Sequence, residues 1–528
     1  MKQLAILAAA AAIAAGQSYI GRLDTIGGTT YDWWVNANVR RSLINSPQHG
    51  VHAAWMYSSS NSGTNFPDRN ARYNFYDYTF RQWNWSDPDH MQSGENIFDK
   101  RAGYGSIDAD PATGVVIVAG HVAGTGGVQV RVASDAAPGA GIFEYSDGPS
   151  GEWPDMSIGD DGSCHVGLLS GGGLSYSRFR ASGGWDSLRL LDSLAFPTYA
   201  IAASETGPSV CATWVGDSGA FFLLSENRGD TWSSRTQLDP PPAFGGDTVT
   251  RFSPRGPFPF FDSQGRLHLV AAVYPEVNDT AYVNPAEVWH WCPANQPRWA
   301  EIHHAGCLPE NMEASIGYDA IYADRPSIGE GDEGDLYVAW EQFDSSNVEP
   351  LTDRLRAGVW VANSWNNGAS WWPGRMVTER STSSHRFPCI IDRALPGEPS
   401  ADTVCVLYLM DQVAGFFVQG EGPATPNPVV CQFIYPPSGA EERPASHVSG
   451  HRPAITIVRG VLFLPRDMTE KFAGSDRVPG PVLLDASGRK VLDLHLGAND
   501  VSRLAPGVYF VRVESSTGCL TTKLAIAK

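Results

Sequence analysis

Positive charge is scarce in this sequence: 38 Lys and Arg stand against 57 Asp and Glu, a formal net charge of −19. Nucleic acids and anionic membranes are held by clustered Lys and Arg, so neither is expected as the main partner. Long apolar runs are also scarce. The opening run, Leu4 to Ala15, is too short to span a bilayer, and no later stretch is long and apolar enough for a transmembrane helix. There is no CxxC pair, no HExxH and no glycine-rich phosphate loop, so no metal and no cofactor is expected. Nothing reads as a long amphipathic helix.

The N-terminus has Lys2, the short apolar run and small residues before Gln17. This predicts a secretory signal peptide over residues 1–16, with cleavage near Gly16 and no nearby cysteine for a lipid anchor. Eight cysteines follow. In a secreted chain they can pair, and Cys292–Cys307 and Cys389–Cys405 are the expected local bridges.

The composition is rich in Gly (55), Pro (37) and Trp (17), which suits short strands joined by tight turns. Strand–turn–strand units recur along the chain, among them "GYGSIDADPATGVVIVAGHV" (103–122), "FPFFDSQGRLHLVAAVY" (258–274) and "RPSIGEGDEGDLYVAWEQF" (325–343). Two further strands usually follow each unit. Such sheets cannot bury both faces alone, but they can when packed around an axis. The expectation is an all-β chain with a β-propeller over residues 17–437, of about seven four-stranded blades. Six or eight blades also fit, because several outer strands are faint. The stretch "TTYDWWVN" (29–36) is expected to supply a strand that closes the ring.

Two octets share one pattern: "SENRGDTW" (225–232) and "SWNNGASW" (364–371). Both fall between the third and fourth strands of a unit. Ser225, Asn227, Gly229, Thr231 and Trp232, with Ser364, Asn366, Gly368, Ser370 and Trp371, read as a structural hairpin. The Asn amides fold onto backbone N–H groups, the glycines take positive φ, and the tryptophans anchor the loop. The octets resemble the Asp-box, or BNR repeat, of sialidase-like β-propellers, with Asn where Asp is usual. That resemblance implies a propeller superfamily holding both glycoside hydrolases and non-catalytic binding proteins, so function is not settled by it.

Beyond a polar, Pro-containing linker at 438–454, strands resume over 455–528 as a small β-sandwich. This tail is similar to the C-terminal sorting domain of the type IX secretion system. The resemblance rests on Gly488 and Arg489 in "LLDASGRKV", Gly507 and Tyr509 in "LAPGVYFVRV", and the terminal Lys528; the usual Asn-Pro near the domain start is missing. It implies the type IX secretion machinery as a partner, and passage through the periplasm to the cell surface or medium.

A sialidase would need an arginine cluster, a Tyr–Glu nucleophile pair and an acidic acid/base on one face. The Arg-Ile-Pro motif of that family has no convincing counterpart, and catalytic residues cannot be assigned. Aligned opening strands place Arg41, Tyr104, Asp155 and Arg325 at matching positions, with Arg386 slightly off register. These are the candidate ligand-binding residues, because opening strands line a propeller's channel. The leading expectation is a secreted or cell-surface propeller that binds a glycan or protein without catalysis, an anionic glycan if the arginines face the channel. A sialidase-type glycoside hydrolase and a structural adhesion component are the alternatives.

Overall fold

The computed structural model describes residues 20–35, 41–63, 65–124, 126–193, 198–245, 248–396 and 403–434, and in the tail 456–458, 461–464, 481–485, 489–495, 497–515 and 518–526. The expected signal peptide and linker lie outside the described residues. The chain divides into two compact units, Met1–Ser438 and Gly439–Lys528.

The first unit is a β-propeller of seven antiparallel sheets. Its inner strands are Leu43–Ser46, Ala102–Ala109, Glu152–Ile158, Tyr199–Ala203, Phe258–Phe261, Ala323–Glu330 and Ser384–Ile390. Those of blades 1 to 6 each meet the inner strand of the next blade. The ring is completed where Asn45 N–H of blade 1 donates to Asp392 at 2.8 Å, and Ser42 N–H donates to Cys389 Sγ at 3.3 Å. Sheets covered on both faces call for continuous apolar strands rather than alternating ones. Gly50–Tyr57 is accordingly buried along its whole length. The apolar clusters lie between blades: Tyr73 and Phe75 meet Val116 and Val118, and Phe258 and Val270 meet Val338 and Trp340.

The ring closes with Arg22–Thr29, which pairs antiparallel with Asn427–Ile434 as the outer strand of blade 7. This corrects the expected position of the closing strand, 29–36. Pairing stops at Thr29 because Thr30 turns away, its N–H and hydroxyl both donating to Ser58 O at 2.8 and 2.9 Å. Residues 30–35 then run inward as a buried strap across one end of the central channel.

Strand direction alternates within a blade, so two kinds of loop share that end: the connections into inner strands and the hairpins between second and third strands. We call it the entry face. The octets open on the opposite face. They follow the third strands of blades 4 and 6, Gly219–Ser225 and Arg354–Ser364. Both build one network. Ser225 Oγ accepts from Gly229 N (2.8 Å), and Asn227 Oδ1 accepts from Thr231 N (2.9 Å) while its amide donates to Thr231 Oγ1 (2.9 Å). Ser364, Gly368, Asn366 and Ser370 repeat these bonds at 3.0, 3.0 and 2.8 Å. Each loop also docks on the preceding blade. Trp232 meets Tyr176 edge-on, and Arg189 of blade 3 donates to Asp230 O at 2.9 Å. Trp371 lies against His290, which bonds Gly368 O at 3.0 Å.

The cysteine bridges are not formed: Cys292, Cys307, Cys389 and Cys405 are all free. Cys292 sits beside His268, whereas Cys307 turns to the Asn284 side chain. Cys389 and Cys405 lie diagonally on neighbouring strands, where Cys389 faces Leu407.

In the second unit a five-stranded sheet and the pair Val461–Leu464 with Gly497–Asp500 surround Leu462, Leu483, Val501, Tyr509 and Val511. Tyr509 Oη donates to Ala505 O at 2.9 Å, Gly507 opens its strand, and Arg489 pairs with Asp485 at 3.1 Å. Gly488 and Lys528 lie outside the described residues.

Candidate functional site at the entry face

Four inner strands carry the same bulge. In blades 2, 3, 6 and 7 the pairing register slips by one residue at Gly103/Ser106, Glu152/Asp155, Asp324/Ser327 and Arg386/Cys389. Inside each bulge one residue takes positive φ: Tyr104 (50°), Trp153 (51°), Arg325 (53°) and Phe387 (57°). A non-glycine residue in that region costs on the order of 1–3 kcal/mol, and such strain gathers where side chains must be aimed. Here it aims four side chains at the channel end.

This equivalence revises the aligned positions. Tyr104 and Arg325 do match, but their partner in blade 3 is Trp153, and Arg386 precedes the bulge residue Phe387 by one. Asp155 instead matches Ser106, Ser327 and Cys389. It clips blades together, accepting from Ser106 Oγ at 2.8 Å and Ile201 N at 2.9 Å. Arg41 belongs to that deeper rung, since its carbonyl accepts from Ile107 N at 3.1 Å. Its guanidinium spans the channel to the Phe258 ring, 5.9 Å away. Burial works against its charge, but Asp108 and Asp392 outweigh that and raise its pKa.

Arg325 and Arg386 do come together, on a protein carboxylate rather than an open rim. They are 1% and 3% exposed, and both grip Glu341, at 2.5 Å from Arg325 and 3.1 Å from Arg386. Burial would raise the Glu341 carboxyl, but Arg386 and Arg325 hold it at about 2. Arg255 pairs with Asp319 and Asp324 beside them. The strap covers this cluster, with Trp34 stacked on Phe387 at 6.2 Å and Trp33 packed on Phe416 at 4.9 Å. At the far end of the channel Arg393 ties four blades together, bonding Glu330 (3.1 Å), Glu205 (3.3 Å) and Phe261 O (3.1 Å).

A polar cluster lies off the axis, over blades 1 to 3, with Tyr31, Tyr104 and His121 buried beneath the half-buried Arg69 and the exposed Arg101. Tyr31 and Tyr104 hydroxyls are 2.9 Å apart. The Arg69 guanidinium lies 5.8 and 5.7 Å from their ring centres and 3.4 Å from His121 Nε2. Its Nε donates to Ala102 O at 2.9 Å. His121 Nδ1 accepts from Trp153 N at 3.0 Å, which puts the neutral ring's proton on Nε2, facing Arg69. Arg101, exposed, donates to Phe66 O at 3.0 Å and Asn65 O at 3.2 Å. Among the described residues no carboxylate forms an ion pair with Arg69 or Arg101. Burial, then repulsion by Arg69, lowers the Arg101 pKa. Two adjacent cations bonded only to neutral groups stand out on so acidic a protein. On the same face a cavity of 690 Å³ opens between blades 4 and 5, bordered by Tyr274 and crossed by the Arg251–Glu276 pair at 2.6 Å.

Sequence reasoning missed Arg69, Arg101, His121, Trp153 and Tyr31. Tyr31 stood inside the stretch assigned to the closing strand, and the Trp-Pro of Trp153 is repeated by Arg325-Pro326 and Phe387-Pro388, a spelling that marks three of the four bulges. Arg69 and Arg101 follow no period.

No protein-family model and no curated protein matches the chain. Among solved structures it is similar to an ulvan lyase of a polysaccharide lyase family, with 13% identity over 78% of this chain and 96% of that one and a TM-score of 0.45. It is similar to the NanB sialidase of Streptococcus pneumoniae (10% identity, 79% and 70% covered, TM-score 0.39) and to a xyloglucanase of Xanthomonas campestris (12%, 79% and 56%, TM-score 0.37). The architecture rests on the strand order above, and likeness at this level carries over no chemistry.

Proposed function

We propose that this is an exported carbohydrate-binding propeller that takes an acidic saccharide over blades 1 to 3 of its entry face. The observation that carries the reading is the Arg69–Arg101 pair, which has no carboxylate partner among the described residues and is edged by the half-buried Trp153. A guanidinium binds a carboxylate or sulfate with charge-assisted hydrogen bonds, and aromatic rings stack on sugar faces. Titrating polygalacturonate and neutral dextran by calorimetry tests it. Binding of the polyuronate alone is expected, with about ten-fold loss for Arg69→Ala or Arg101→Ala, since a hydrogen bond to a charged group is worth roughly 1.5–3 kcal/mol. Equal affinity for both polymers, unchanged by either substitution, would remove the basis for the site.

The Tyr31–Tyr104 hydroxyl pair, with His121 at Arg69, favours a second reading, cleavage of a uronate chain by β-elimination. Arg69 would neutralise the carboxylate and so acidify the neighbouring C–H. One tyrosine of the pair, as the phenolate, would take that proton, and the other would protonate the departing glycosidic oxygen. A rise in ultraviolet absorbance from the new conjugated double bond distinguishes this from binding alone, and a fluorogenic glycoside panel distinguishes it from sialidase-type hydrolysis.

A further inference from the structure

The strap over the channel end contains one charged residue, Asp32, in an otherwise aromatic seal. Asp32 is 2% exposed and accepts from Phe417 N (2.5 Å) and Val418 N (3.1 Å). Behind it, on blade 7, stands Asp411, 1% exposed. Its Oδ1 accepts a long bond from Val413 N at 3.4 Å. Its Oδ2 is buried with no hydrogen-bond partner among the described residues. A bare buried carboxylate oxygen is costly, whereas a carboxylic acid can hold its proton there or share it.

The charged groups around the pair do not resolve the conflict. Arg386 faces both carboxyls but is already committed to Glu341. Glu349, paired with Arg356 at 2.7 Å, adds a further like charge behind Asp411. Glu421 accepts from Phe416 N, next to the donors that hold Asp32, and the Tyr318 phenol ring packs on Trp33. Two acids and one shared cation leave room for one proton.

We propose that residues 30–35 form an acid-closed gate: a proton held by the Asp32–Asp411 pair seals the strap on the channel end, and its loss loosens the strap and shifts Tyr31 against Tyr104. Burial raises the Asp32 carboxyl to about 7, and burial together with Asp32 raises Asp411 well above the usual range. Raised carboxyls stabilise the closed form fully below the ordinary carboxylate pKa and lose that contribution as pH rises through the folded value. The gate therefore loosens as pH climbs past about 7. The opening is local, because Arg22–Thr29 remains paired in blade 7 and Thr30 remains bound to Ser58.

Hydrogen exchange of the full chain, read by mass spectrometry on the peptide covering residues 30–35 and corrected for intrinsic exchange, tests the gate. Exchange should rise up to about ten-fold per pH unit above the Asp32 value, while a peptide from Gly50–Tyr57 stays protected. Asp411→Asn keeps the size and mimics the protonated acid, so its strap should stay protected on both sides of that pH. If Asp411→Asn does not fold, Asp32→Asn carries the same expectation. A strap equally protected at both pH values in the wild type, or loosening equally in the variant, overturns the gate. The effect on ligand rests on the proposed saccharide site: polygalacturonate affinity should change across the same pH range in the wild type but not in Asp411→Asn. Absence of polygalacturonate binding at every pH would sink the site reading and leave the gate to the exchange result.

Discussion

Glu341 holds two guanidinia on one carboxylate at a fully buried place. Removing one partner of such a buried group strands the rest. Glu341→Gln should therefore cost about 3–5 kcal/mol in urea unfolding, far more than an exposed ion pair. The pH dependence has a definite sign. A carboxyl held at about 2 in the fold contributes its stability above its ordinary value, and that contribution is lost as pH falls towards 2. The difference in stability between wild type and Glu341→Gln should thus be constant near neutrality and shrink only in strong acid. A difference that shrank on the alkaline side instead would mean that Glu341 is not the ionised member of the cluster.

Among elements, the octet loops behave as studs that pin one blade to the one before it. At Gly229, φ is +81°, and an added Cβ would meet Tyr176 Oη at 2.0 Å; at Gly368, φ is +73°, and Cβ would meet His290 Cε1 at 2.0 Å. Gly229→Ala should lower stability by about 1–3 kcal/mol, since both strain and overpacking oppose it. Trp232→Ala should cost roughly 2–3 kcal/mol, at the lower end for a large aromatic because Trp232 is only half-buried. Saccharide binding should survive both, because the studs sit on the face opposite Arg69; loss of binding at an unchanged melting temperature would contradict this. Blade strands and studs were legible in the sequence, because burial on both faces writes apolar runs and a repeated turn writes a repeated octet. The bulges were half legible: their extra residue displaced Asp155 from the position where Trp153 stands. Arg22–Thr29 escaped notice because only its second half is buried, so it lacks the apolar run of its neighbours. Arg69 and Arg101 meet only because a loop of blade 1 and the approach to blade 2 come together in space, and no local spacing records that.

For the whole molecule, the two compact units make separate expectations possible. A chain ending at residue 437 should fold and melt as the full protein's propeller does, because no strand of the ring comes from the tail. If the tail is a type IX sorting signal, the same chain should accumulate in the periplasm of an expressing host; normal arrival in the medium would refute that role. Deleting residues 22–29 should do the reverse, leaving the outer edge of blade 7 unpaired and the propeller prone to aggregate in size-exclusion chromatography.

The clasp made by Arg22–Thr29 also sets an order of events. The strand nearest the beginning of the chain has no partner until Asn427–Ile434 has been made, so the ring cannot lock while the polypeptide is still emerging. A half-finished chain is an open arc with two raw edges, and its first strand must wait, unpaired along its edge, through the synthesis of almost every blade. A protein that completes itself this late gains its full resistance to unfolding only with the last strand and, once clasped, is difficult to reopen.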